Sequence, residues 1–272
     1  SVDDTDYLVM ESTYGSRNHE RHTDTIDVLA SYIERTLERG GNVIIPSFAV
    51  GRTQELLYAI REIKQQKLVK DASFPVYIDS PLAIEATKIF ENCDIVNFDA
   101  ETRMLIEKGV DPLYFENLHL AVTVDESKLI NETPESKVII SASGMCEAGR
   151  IRHHLKHNLW RPQNLILFVG YQAEGSLGRM LIEGVPNVKL FGEDIAVRAE
   201  IRSLKGTSGH ADQAGLINWL GSFKEKPKTV FLNHGNEESI EVLRDELKER
   251  GYAVETPYSG TEYDLISGAM TA

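Results

Sequence analysis

The chain alternates short apolar runs with amphipathic stretches, and this order limits the fold more than any other feature of the sequence. Five runs have the length and apolar character of buried strands: 7–10, 42–46, 75–78, 137–140 and 165–169. Four intervening stretches carry apolar residues at helical spacing: 25–39, 52–65, 81–90 and 148–158. Strand, loop, helix and strand in this order predict an α/β fold, with a parallel sheet covered by helices.

Two regions depart from this regular alternation. Residues 92–136 are less regular and are predicted to form an excursion with short helices of its own. A boundary is predicted near 190–200, after turns at Pro186 and Gly192. Beyond it the pattern again predicts helix, strand, helix and strand: 211–223, 229–232, 237–250 and 252–256.

Composition limits the classes of function. The formal net charge of −13 argues against a protein that coats nucleic acid by general attraction, so an RNA-binding surface must be a local patch. No apolar run is long enough for a membrane-spanning helix, and the polar, acidic first residues are not those of a secretory signal. The two cysteines, Cys93 and Cys146, do not provide a disulfide framework. We therefore expect a reducing, cytoplasmic setting without a membrane.

Three candidate residues lie where predicted strands end or helices begin, the places where ligands bind in parallel sheets. Glu11 could orient a histidine, or it could cap a helix or be a satisfied polar group. His210 lies in a glycine-containing turn before a helix, where it could protonate a leaving oxygen or be an exposed residue of a capping turn. His234 follows a strand and could bind a metal. One histidine does not make a zinc site, so taken alone it is interpreted as structural.

Two strand–loop–helix junctions could bind phosphate. At 46–55, Phe48 could stack on a base, but packing under the loop is the preferred interpretation. At 141–150, small residues would let the backbone approach a phosphate, which the dipole of the following helix favours. Basic side chains follow this loop: Arg150, Arg152, His153, His154, Lys156, His157 and Arg161. We interpret them as a local patch for nucleic acid rather than as a solvated helix face.

Five strings together resemble the β-CASP branch of the metallo-β-lactamase superfamily. They are Glu-Ser-Thr-Tyr-Gly (11–15), Pro-Ser-Phe-Ala-Val-Gly-Arg-Thr-Gln-Glu (46–55), Ser-Ala-Ser-Gly-Met (141–145), Ser-Gly-His-Ala-Asp (208–212) and Asn-His-Gly (233–235). The family includes the endonuclease subunit of mRNA 3′-end processing and bacterial RNA-degrading proteins. The resemblance implies a parallel-sheet β-CASP domain at 16–195. It also implies an incomplete metallo-β-lactamase αββα fold, its N-terminal part ending at 1–15 and its C-terminal RNA-specificity segment at 196–272.

The resemblance also implies roles for individual residues. Glu11 matches the acidic residue of the first motif and would orient His210, which would protonate the leaving oxygen or steady the phosphate. His234 matches a ligand of one of two zinc ions. The expected partner is RNA, and the resemblance leaves room for a homodimer of the intact protein. The expected contacts to RNA phosphates are Ser47, Arg52, Ser143, Gly144, Arg150, His154 and Ser208.

The chain departs from the family pattern at two points. It lacks the His-x-His-x-Asp-His motif, a further zinc histidine and a bridging aspartate, and the third motif continues as Asn236 instead of glutamate. We therefore expect a fragment of a zinc-dependent ribonuclease that binds metal poorly and is inactive alone. The alternative is a non-catalytic β-CASP scaffold or partner-binding subunit, which would have little reason to keep Glu11, His210 and His234. A nucleotide-binding domain ranks last, because no G-x-G-x-x-G or Walker pattern occurs.

Overall fold

The computed structural model describes residues 5–19, 25–204, 209–267 and 269–271. The strands are β1 (Tyr7–Glu11), β2 (Val43–Pro46), β3 (Val76–Ile78), β4 (Leu118–Leu120), β5 (Val138–Ser141), β6 (Leu165–Phe168), β7 (Asn187–Leu190), β8 (Glu193–Ala196), β9 (Glu200–Ser203), β10 (Thr229–Asn233), β11 (Val254–Glu255), β12 (Tyr263–Asp264) and β13 (Ala269–Met270). The helices are α1 (Thr25–Glu38), α2 (Arg52–Gln66), α3 (Pro81–Glu91), α4 (Ala100–Glu107), α5 (Val124–Glu132), α6 (Ile151–Asn158), α7 (Leu177–Ile182), α8 (Gln213–Leu220) and α9 (Glu237–Glu249). None of these helices is long and apolar enough to cross a membrane.

The described residues form two compact units. The larger unit holds residues 25–204, and the smaller unit combines 5–19 with 209–267 and 269–271. The smaller unit is therefore assembled from two segments that are far apart in the sequence.

A six-stranded parallel sheet forms the centre of the larger unit, in the order β4-β3-β5-β2-β6-β9. Every residue of β2, β5 and β6 is buried. Val43 and Ile45 belong to one apolar cluster and Ile44 to another, because successive strand residues point to opposite faces. Both faces are thus covered, which explains the uninterrupted apolar runs. The predicted α/β fold with a parallel sheet is confirmed.

The larger unit contains strands that the apolar pattern does not predict. The excursion at 92–136 has the expected short helices, α4 and α5 and a 3₁₀ turn at Ile95–Asn97, but it also contains β4. β4 pairs with β3 at the edge of the sheet, and its three residues are too few to show a period. β7 and β8 form an antiparallel hairpin, and β9 pairs with β6 although only one of its four residues is apolar.

A three-stranded parallel sheet, β1-β10-β11, organises the smaller unit. Its core contains Met10, Leu216, Leu220, Val230, Leu232, Leu243, Leu247 and Val254. β1 and β10 pair along their whole length, from Tyr7 opposite Thr229 to Glu11 opposite Asn233. Because the strands are parallel, the polar residues that end β1 and β10 meet at one edge of the sheet.

Candidate active site

Glu11, His210 and His234 lie together at this edge of the smaller sheet. Glu11 ends β1 opposite Asn233, the last residue of β10, and His234 follows directly. Oε2 of Glu11 lies 2.7 Å from Nδ1 of His210. The ring centroids of His210 and His234 are 5.0 Å apart. One ligand atom from each of the three residues lies within 4.8 Å of the others, so the structure brings this predicted trio into one cluster.

Glu11 carries a negative charge that is held against His210. Partial burial raises the pKa of Glu11, but hydrogen bonds from Thr13 and His210, the charge of His210 and the backbone N–H of Ala211 lower the pKa below its ordinary value. The Ala211 N–H donates to Oε1 at 3.3 Å. A carboxylate bonded to Nδ1 fixes both the ring orientation and the position of the Nδ1 hydrogen. Glu11 therefore positions His210.

Thr13 links the two histidines, a role that no sequence pattern indicates beyond its position two residues after Glu11. Its hydroxyl oxygen lies 3.4 Å from Nδ1 of His210 and 3.0 Å from Nδ1 of His234. The single hydroxyl hydrogen has oxygen acceptors, the His234 carbonyl at 2.9 Å and the Glu11 carboxylate. We therefore assign Nδ1 of His234 as the donor towards Thr13. This tautomer leaves a lone pair on Nε2 of His234, the nitrogen through which the ring would then bind a metal.

Removing the Thr13 hydroxyl is expected to remove the preference of His234 for one neutral tautomer. In Thr13→Val, which keeps the shape of this buried side chain, Nδ1 of His234 loses its acceptor, so both neutral tautomers become populated. Heteronuclear NMR of the imidazole nitrogens checks this, with Thr13→Ser as the matched variant that keeps the hydroxyl. A hydrogen found on Nε2 of His234 in the unchanged protein would contradict the assignment.

The Asn-His-Gly string has a structural explanation at each residue. His234 adopts a left-handed backbone with φ of 54°, and its N–H donates to the side chain of Asn233 at 2.7 Å. A Cβ atom at Gly235 would lie 2.5 Å from the Ser12 hydroxyl oxygen and 2.7 Å from the Ser12 carbonyl, so only glycine fits. Asn236 caps α9, accepting a backbone N–H of its first turn at 2.9 Å. The departure from the family pattern at Asn236 is thus compatible with the turn that holds His234.

The two predicted phosphate loops of the larger unit lie side by side. The Ser47 N–H donates to the Ser141 carbonyl at 3.0 Å. The ring of Phe48 packs against Gly144, where a Cβ atom would lie 2.9 Å from it, but 45% of Phe48 is exposed. Ser47 itself is buried, and its hydroxyl accepts from Thr53 at 3.1 Å. The preferred interpretation of Phe48, packing, agrees with this contact.

The remaining polar groups of these loops are engaged locally. Arg52 pairs with Glu55 in the first turn of α2. The N–H and hydroxyl of Ser143 donate to the Ala148 carbonyl at 3.1 Å and 3.2 Å. Ser208 lies outside the described residues.

Arg150 and His154 surround the buried carboxylate of Asp79, which corrects the expectation that His154 faces a phosphate. His154 is fully buried, with Nε2 at 2.7 Å from Asp79 and Nδ1 at 3.1 Å from Asn131. Arg150 donates to Asp79 at 2.7 Å and to two backbone carbonyls just after β4. A phosphate cannot reach His154 unless this cluster opens. The run of basic residues does not reveal which of them lie on the buried face of α6.

Comparisons with known proteins match most of the chain. The Beta-Casp domain family matches residues 53–181, and the Zn-dependent metallo-hydrolase RNA specificity domain matches residues 194–257. The ribonuclease TTHA0252 of Thermus thermophilus is 36% identical over 249 residues, which cover 92% of this chain and 56% of that protein. The transcription termination factor FttA of Pyrococcus abyssi is 34% identical over 235 residues, covering 84% of this chain and 36% of that protein. An RNase J-like protein of Methanocaldococcus jannaschii is 34% identical over 237 residues, covering 86% and 53%. The chain thus spans about half, or less, of the length of these relatives.

Proposed function

Because the chain belongs to the β-CASP family of metallo-β-lactamase-fold proteins, we propose that it forms the RNA-binding and partial active-site portion of a zinc-dependent ribonuclease. The observation that carries the proposal is the cluster of Glu11, His210 and His234 at the end of the parallel pair β1 and β10. The proposed reaction is hydrolysis of a phosphodiester bond in RNA. A cytoplasmic setting and a homodimer of the intact protein stay predictions from the sequence.

The donor atoms of the cluster suit zinc, which binds imidazole nitrogen and carboxylate oxygen. The hydrogen bonds divide the three residues between two tasks. Glu11 is bonded to His210, whereas the tautomer assigned to His234 leaves a lone pair on Nε2, so His234 would hold a zinc ion. When bound, zinc polarises the phosphate and provides a nucleophile at neutral pH.

The metal site is proposed to be incomplete in this chain. A zinc site needs about three or four protein ligands. Within the described ranges this cluster is the one group of three suitable side chains, and one of them, Glu11, is engaged with His210. The proposal of a second zinc ion is supported by the family resemblance alone.

His210 is proposed to supply a proton to the oxygen that leaves the phosphate. Glu11 holds one hydrogen on Nδ1, so the proton transferred to RNA would be the second hydrogen of the imidazolium, on Nε2, and its transfer would leave a neutral ring. In the larger unit, Arg52 is proposed to contact RNA phosphates through its guanidinium, and the loop at Ser143 and Gly144 through its backbone. These contacts require Arg52 to exchange Glu55 for a phosphate, and the Ser143 N–H to exchange the Ala148 carbonyl for a phosphate.

The test is a chimera in which this chain replaces the matched region of the Thermus thermophilus ribonuclease. We expect the chimera to bind zinc and to hydrolyse RNA, and the chain alone to bind zinc weakly and to hydrolyse none. Zinc content is measured on the purified proteins, and hydrolysis on end-labelled RNA. Tight stoichiometric zinc binding by the chain alone would contradict the proposal that the site is incomplete. A folded, zinc-loaded chimera without hydrolysis would favour the non-catalytic scaffold.

A further inference from the structure

The outward face of α6 is basic and aromatic in an otherwise acidic chain. No Asp or Glu occurs from residue 148 to residue 173, although the chain has a formal net charge of −13. α6 buries Ile151, His154, Leu155 and Asn158. His153 and His157 are four positions apart, are exposed and share the opposite side of α6, and Trp160 lies two residues beyond its end. We call the following side chains the α6 surface: Arg152, His153, His157, Trp160, Arg161, Phe191 and Arg198.

Phe191 is a solvent-exposed residue of the turn between β7 and β8. Its ring is 48% exposed and stacks on His153, with centroids 4.4 Å apart and an interplanar angle of 24°. The guanidinium carbon of Arg152 lies 5.3 Å from the ring centroid. Phe191 and Gly192 have φ of 52° and 83°, the signature of a two-residue turn whose first position favours Asn or Asp. A phenylalanine there is not explained by turn formation, and it contributes little to a core.

Trp160 forms a second exposed stack at the end of α6. The residue is 47% exposed, and the guanidinium carbon of Arg161 lies 4.8 Å from its ring. The preceding carbonyl, of Leu159, accepts backbone N–H groups of Arg198 and Ala199, each at 2.8 Å. These bonds fix the turn that carries Trp160 and bring Arg198, which is exposed, into the same region.

The acidic groups of the neighbouring hairpin are balanced by lysines. Lys156 pairs with Glu193 at 2.6 Å. Asp194 lies opposite Lys189 in the register of β7 and β8. The arginines of the α6 surface therefore dominate its charge.

We propose that the α6 surface binds single-stranded RNA, as a contact region additional to the cluster at Glu11. The proposal rests on the proposed function, in which RNA is the substrate. Bases stack on the His153–Phe191 pair and on Trp160, and the three arginines pair with phosphates. Aromatic stacking and arginine together bind single strands with little sequence preference, whereas a duplex hides its base faces. The local lack of acidic residues lets an acidic chain approach a polyanion at this place.

The experiment measures binding of an end-labelled oligoadenylate of about 12 nucleotides to the whole chain by fluorescence anisotropy. EDTA is present, so that neither zinc nor hydrolysis contributes. Phe191→Leu and Trp160→Leu keep an apolar side chain but remove the ring, and each is expected to weaken binding about 5-fold or more. Tyr258→Leu, at an aromatic residue that is 82% exposed in the smaller unit, is the matched control and is expected to leave the affinity unchanged.

The salt dependence of binding distinguishes the contribution of the arginines from that of the aromatic rings. Arg161→Ala is expected to reduce the slope of log affinity against log salt by about 0.7, the value for one phosphate contact of a single strand. Phe191→Leu is expected to leave that slope unchanged. A duplex of the same length is expected to bind more weakly than the single strand.

Two results would overturn the inference: no binding of the oligoadenylate by the unchanged chain, or unchanged affinity in the variant that combines Phe191→Leu with Trp160→Leu. Neither result affects the test of the proposed function, which measures RNA hydrolysis by the chimera. Conversely, an inactive chimera together with ring-dependent binding would contradict the proposed function and leave the α6 surface in place.

Discussion

Replacing His210 by alanine is expected to lower kcat for RNA hydrolysis by the chimera by about 10²- to 10⁴-fold, the usual contribution of a positioned general acid. RNA affinity is expected to change little, because the proton is transferred only as the bond breaks. Single-turnover rates and anisotropy separate the two quantities. His119→Ala is the matched control, since this exposed histidine stacks on Tyr77 in the larger unit. A drop in RNA affinity equal to the drop in kcat would assign His210 to binding instead.

Glu11→Gln tests whether His210 depends on the charge beside it. The pKa of Glu11 is lowered in the folded protein, so its carboxylate is ionised at neutral pH and is lost only as the pH falls through that lowered value. Hydrolysis by the unchanged chimera should therefore decline in acid over this range. Glu11→Gln should be slower at neutral pH and should lack that part of the decline. A pH–rate profile of the same shape in both proteins would contradict the role of Glu11.

Replacing Asp79 by alanine is expected to reduce the free energy of unfolding of the larger unit by about 3–5 kcal/mol. Burial raises the pKa of Asp79, but hydrogen bonds from His154, Ser127 and Arg150 and the charge of His154 lower it below its usual range. Asp79 is therefore a buried anion with paired donors, and removing it leaves Arg150 as a cation without its carboxylate. Urea unfolding measures the effect.

The stabilisation by Asp79 is expected to depend on pH. Because the folded pKa of Asp79 is lowered, its stabilisation is present above the unfolded pKa and disappears as the pH falls through the folded pKa. The difference between the unchanged protein and Asp79→Asn should therefore shrink in acid. Asp125→Ala, at an exposed carboxylate in the first turn of α5, is the control and should change stability by less than about 0.5 kcal/mol. A loss below about 1 kcal/mol for Asp79→Ala would contradict the assignment.

The sequence predicts the centre of the larger sheet better than its edges, for a physical reason. β2, β5 and β6 are buried on both faces, so their apolar runs are continuous and visible. β4 and β9 are edge strands that are short or largely polar, and their pairing depends on neighbours distant in the chain. Apolar pattern alone does not record that pairing.

The candidate site shows the same limit. Resemblance identifies Glu11, His210 and His234, but Thr13 acquires its role only by meeting His234, which lies 221 positions away. Similarly, His154 and His153 are adjacent in a basic run, yet one lies beside Asp79 and the other stacks on Phe191. Which face of α6 is buried is decided by the sheet beneath it.

The assembly of the smaller unit from two distant segments has a consequence for folding kinetics. Its sheet forms only when β1 meets β10, and the bond between Ser12 and Asn233 closes a loop of 221 positions. The larger unit lies within that loop as one continuous stretch of chain, so its contacts are closer in sequence. Closing a long loop lowers the conformational entropy of the chain before the stabilising contacts form. Proteins with many contacts between residues distant in sequence therefore fold more slowly. A substitution that slows folding of the larger unit is therefore expected to delay the assembly of Glu11, His210 and His234 without touching any of them.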